Sequence, residues 1–233
     1  MHVQAPGLHC RFLTAEDSPD PERSEGHCPR QGGYSLCRFS DVYLHSLYDN
    51  ARSELRFKSR GVVLLTSLLR QLPPPDPATG VYLFGGFGPY SPRAQAAGLK
   101  AEPSARSSAI DRALPPKDYF IATPAMKAAQ LAIDFQLHGP LMALFAPEHG
   151  FAQACRLARA DLADGVVPAA LVAGMFTLEE ASEYSRFLTG SRHLVEAVWL
   201  HYVTHPDQIE LCQGPSGRFG PLTSSIERSP IHE

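Results

Sequence analysis

Between Gly80 and Gly174 the chain alternates short apolar runs with stretches of helical periodicity, and this alternation limits the folds open to it. Gly80-Val-Tyr-Leu-Phe-Gly85, Leu141-Met-Ala-Leu-Phe145 and Val167-Pro-Ala-Ala-Leu-Val-Ala-Gly174 are almost wholly apolar, the pattern of strands buried on both faces. Between them, residues 124–137 set Met126, Ala129, Ile133 and Leu137 on one helical face, with the small residues Ala125, Ala128 and Ala132 beside it. Residues 151–164 do the same with Phe151, Cys155, Ala158 and Leu162, and Gly165 supplies the stop. An earlier helix is predicted over 59–72 from Val62, Leu65, Leu68, Leu69 and Leu72, and Pro73-Pro-Pro75 ends it. A final strand is predicted over 194–203, with Leu194, Glu196, Val198, Leu200 and Tyr202 alternating. The order predicts an α/β layer, a mostly parallel sheet with helices packed on its faces.

The first 38 residues carry few such signals. Glu16-Asp-Ser-Pro-Asp-Pro-Glu-Arg-Ser-Glu-Gly26 is polar and turn-rich, and reads as a loop or mobile arm. Residues 35–47, with Leu36, Phe39, Val42 and Leu44, suit a short strand or an irregular docking piece. The expected organisation is an irregular arm over 1–38, one α/β domain over 39–211 and an irregular tail over 212–233. Gly85-Gly-Phe-Gly-Pro89 reads as a tight turn, because it lacks the Lys-Ser/Thr ending and following helix of a phosphate loop. Residues 89–116 read as a surface excursion.

Charged residues at 19% and hydrophobic residues at 44% suit a globular chain. A net charge of −3 offers no basic footprint for nucleic acid. No apolar run reaches membrane-spanning length, and the N-terminus lacks the form of a signal peptide, so a cytoplasmic protein is expected. Cys10, Cys28, Cys37, Cys155 and Cys212 are odd in number and scattered, which suits reduced thiols. His9, Cys10, His27, Cys28 and Cys37 match no zinc spacing. His201 and His205 would suit a metal on a helix, but Val198-Trp-Leu before them and Tyr-Val-Thr between them favour a strand, which splays the two. No cofactor is expected.

The part richest in chemistry is Leu137-His-Gly-Pro-Leu-Met-Ala-Leu-Phe-Ala-Pro-Glu-His-Gly150. Ala128-Ala-Gln-Leu-Ala-Ile-Asp-Phe-Gln-Leu-His-Gly-Pro140 leads into it, and a helix and Leu171-Val-Ala-Gly-Met175 follow. With the 60–72 helix and the 81–86 strand ahead of it, this order resembles the N-terminal half of β-ketoacyl synthases, members of the thiolase-like fold. In that family a helix rich in small residues leads to Leu-x-Gly-Pro, a short strand, the nucleophile turn, a helix, and a strand ending in Val-Gly-Gly. The resemblance spans roughly 150 residues. Counted from Gly-Pro, the family's cysteine falls on Glu148, which cannot form a thioester. The family's histidine pair and lysine belong to a C-terminal half that these residues do not include.

The resemblance therefore leans toward the short, N-terminal-domain-only relatives and toward chain-length factors, which pair with an active synthase and usually carry Gln at that position. It implies a non-catalytic subunit of polyketide, aryl-polyene or fatty-acid-type biosynthesis that shapes an acyl tunnel. Its partners would be a full-length β-ketoacyl synthase and an acyl carrier protein, in a homo- or heterodimer. The family's interface follows the strand after Gly-Pro, which makes Leu141, Met142, Leu144 and Phe145 candidate interface or tunnel residues.

Glu148 has three readings: a helix-start carboxylate worth about 0.3–1 kcal/mol, a plug facing a partner subunit, or an acid–base group acting with His149 on a small acyl substrate. The last would make the chain an acyl-processing enzyme, and a small metal-binding module is a third class. Cys155 lies seven residues beyond the turn on an apolar helix face, the place of a buried inert thiol. Tyr82, Phe84 and Phe87 suit either core packing or an acyl tunnel.

Overall fold

The computed structural model describes residues 8–28, 32–47, 58–85, 124–144, 150–177 and 193–212. Eight strands lie within them: β1 (His9–Thr14), β2 (Pro21–Cys28), β3 (Gly32–Phe39), β4 (Gly80–Gly85), β5 (Leu141–Leu144), β6 (Ala170–Phe176), β7 (His193–Val195) and β8 (Ala197–Val203). Four α-helices join them: α1 (Asp41–Ser46), α2 (Arg60–Leu69), α3 (Pro124–Phe135) and α4 (Gly150–Ala163). Short 3-10 helices cover Ala15–Asp17 and Pro206–Leu211.

The main sheet has the order β1-β8-β6-β4-β5. Parallel pairing joins β4 to β5 and to β6, while β8 runs antiparallel to both β6 and β1. Strands β1, β4, β5 and β6 therefore share one direction and β8 opposes them, a mixed sheet that is mostly parallel as expected. A smaller sheet, β2-β3-β7, pairs β2 and β3 antiparallel and β3 and β7 parallel.

Both faces of the main sheet are covered, which is why β6 is buried along its whole length. On one face Val81, Leu83, Leu171, Met175, Val198 and Leu200 pack with α2 and α3. On the other, Tyr82, Phe84, Val172, Trp199 and Val203 pack with Ala154, Ala158 and Leu162 of α4 and with Ile209 of the last 3-10 helix. The Ser59 hydroxyl caps α2 by accepting from the Val62 N–H at 3.2 Å. Nine of the ten α2 residues are buried, the exception being Arg60. Gly165, at φ +69°, closes α4 in the left-handed conformation that the sequence pattern predicts there.

Three expectations need correction. Residues expected to be irregular near the N-terminus hold β1, the Ala15–Asp17 helix, β2 and most of β3. Their pattern is polar because the ladder, not an apolar face, holds them: Glu22 lies directly across from Arg38 and the two side chains form an ion pair. The face that α3 buries is Lys127, Ala128, Leu131 and Ala132, whereas Ile133 is 74% exposed. The small residues let α3 settle against α2 and the sheet, which turns Ile133 outward. The strand predicted over 194–203 is divided at Glu196 into β7 of the small sheet and β8 of the large one.

Candidate functional site

The carboxyl ends of β4, β5 and β6 and the first turn of α4 converge on one region. The turn that joins β5 to α4, with Phe145, Glu148 and His149, lies outside the described residues, as does Phe87. Against the start of α4 the structure places an aromatic cluster. The Phe84 ring lies 5.1 Å from Trp199 and 5.5 Å from Phe151, and Phe151 lies 5.9 Å from His201. Gly174 makes this possible, because a Cβ there would stand 2.3 Å from the Trp199 ring and 2.5 Å from Phe84. Gly150 likewise brings the start of α4 against Phe84, where a Cβ would lie 3.2 Å from the Phe84 Cβ.

Tyr82 is fully buried in the same layer and its hydroxyl donates to Asp161 Oδ2 at 2.5 Å. Burial, then the hydrogen bond, then the Asp161 charge hold the phenol above its ordinary value. Tyr82 and Phe84 thus belong to the packed layer between sheet and α4. Cys155 packs at the edge of this layer, and burial pushes its thiol up to about 12, as suits an inert thiol. Burial also raises Cys212, with the charges of Cys155 and Cys10 adding to the effect.

Leu141 and Met142 are 42% and 37% exposed, and Leu144 is half-buried. Among the described residues β5 pairs on one side only, with β4. Beside it an open groove of about 540 Å³ runs between α3 and β5, lined by Ala129, Ala132, Ile133, Leu137 and Leu141 with the polar Gln136 and His138. The structure thus sets three of the four candidate interface residues on one edge strand next to an apolar groove.

The two histidines of the 201/205 pair part company. His201 lies in β8 facing Phe151, and His205 caps the last 3-10 helix by accepting from the Asp207 N–H. His9 and Cys10 are consecutive in β1 and so point to opposite faces. Among the described residues no group of three or more His, Cys, Asp or Glu side chains could hold a metal. No helix among them is long and apolar enough to cross a membrane.

Two polar constellations had no place in the sequence reading. Glu196, 2% exposed, accepts from the Phe39 N–H at 2.9 Å and from Arg60 Nε and Nη2 at 3.0 and 2.9 Å. A charged residue within an otherwise apolar alternation was the signal for it. The second is Cys10, whose Sγ lies 3.0 Å from His201 Nδ1. Only the β1–β8 register brings these two together.

No protein-family model matches the chain, and no curated protein matches it. Solved structures do. The chain superposes on the ishigamide ketosynthase/chain length factor with a TM-score of 0.56 at 17% identity, covering 74% of this chain and 50% of that one. A type II PKS acyl-carrier protein in complex with its ketosynthase bound to the hexaketide gives 0.52 at 15% identity, covering 76% and 55%. A ketosynthase in complex with its chain length factor from Xenorhabdus doucetiae gives 0.51 at 14% identity, covering 88% and 60%. The chain therefore shares its fold with these ketosynthase and chain-length-factor structures. It spans 50–60% of the length of these solved chains.

Proposed function

We propose that this chain is a non-catalytic, chain-length-factor-like subunit that pairs with an active ketosynthase and shapes its acyl tunnel, in polyketide, aryl-polyene or fatty-acid-type biosynthesis. The observation that carries the reading is a fold shared with ketosynthase and chain-length-factor structures, in a sequence where Glu148, counted from Gly139-Pro140, falls at the position of the family's nucleophilic cysteine. A carboxylate there forms no acyl-enzyme, so selection would keep the scaffold for its surfaces. The exposed β5 edge, with Leu141, Met142 and Leu144 beside the α3 groove, supports pairing through that strand. Strand addition at such an edge supplies backbone hydrogen bonds, and the groove supplies apolar burial. The neighbours are themselves described as ketosynthases with a chain length factor or with an acyl-carrier protein, which supports partners of those kinds.

The test is co-expression with a full-length ketosynthase and an acyl carrier protein, followed by size-exclusion chromatography with light scattering. A stable complex containing this chain is the expected result. A monomer that captures neither protein overturns the reading.

A further inference from the structure

We draw no further inference here: the strongest candidate, the open groove between α3 and β5 with Ile133 and Leu141 on its walls, belongs to the pairing surface already proposed for the β5 edge, and nothing in the structure shows what else covers it.

Discussion

Arg60, at the first position of α2, clasps the carboxylate of Glu196 with both Nε and Nη2, and Glu196 is the residue that divides β7 from β8. The Glu196 backbone ties the same point down: its carbonyl accepts from the Ala15 N–H at 2.8 Å and its N–H donates to the Cys37 carbonyl at 2.9 Å. Arg60 also donates to the Phe39 carbonyl and pairs with Asp41. One guanidinium and one carboxylate therefore join α2, the small sheet and the large sheet.

Glu196→Ala leaves Arg60 without its buried partner and should lower the unfolding free energy by about 3–5 kcal/mol. Asp41→Ala removes only the exposed contact of the same guanidinium and should cost less than about 1 kcal/mol. Urea titration gives both numbers, and comparable losses would refute this ranking.

Gly174→Ala places a methyl group into the Trp199 and Phe84 rings. Overpacking of this kind should cost about 1–3 kcal/mol. Trp199 is the sole tryptophan, so its emission reports the displacement directly. An unshifted spectrum with unchanged stability would mean that the rings do not lie over Gly174.

Tyr82 predicts an alkaline limit to stability. Its ordinary value is 10.0 and the fold raises it, so the unfolded chain loses the phenolic proton first. The stabilisation is fully present below about pH 10 and is lost as the pH climbs from there toward the raised value. Tyr82→Phe should cost about 1–3 kcal/mol near neutrality, through the orphaned Asp161. Its deficit relative to wild type should hold up to about pH 10 and narrow above it in urea titrations. A deficit still constant above about pH 10 would count against the raised phenol.

Met142→Lys and Leu141→Asp put charge on the β5 edge. Both residues are exposed, so the melting point of the isolated chain should hold, with changes within about 0.5 kcal/mol. Association with a ketosynthase should weaken at least about tenfold, as measured by calorimetric titration. Unchanged affinity would place the interface elsewhere.

The parts of this fold that can be read from sequence are those whose own residues define them. β4 and β6 are apolar throughout and α4 carries its stripe through Ala158 and Leu162, so each declares itself locally. β1, β2 and β3 do not, because Arg11, Glu22, Arg23 and Arg38 become strand residues only through partners brought in by the fold. The same distinction governs the site. Gly139-Pro140 marks the entry to β5, but the pairing of Cys10 with His201 depends on a register formed across 191 residues. Ile133 was misplaced for a related reason: periodicity identifies a helix, while the small residues Ala128 and Ala132 decide which side packs closely.

The position of β8 between β1 and β6 has a consequence for how the chain is made. β1 leaves the ribosome among the first described elements and β8 near their end, so both flanks of the gap exist before the strand that fills it. Contacts this distant in sequence are slow to form. Until they form, β1 lacks the ladder that holds it in the main sheet, and β6 presents an open edge to any other nascent chain. Closure of the main sheet is thus expected late in folding, after both of its flanking strands have formed. Yield in a cell should depend on how well β6 is shielded during that interval, more than on the strength of the finished core.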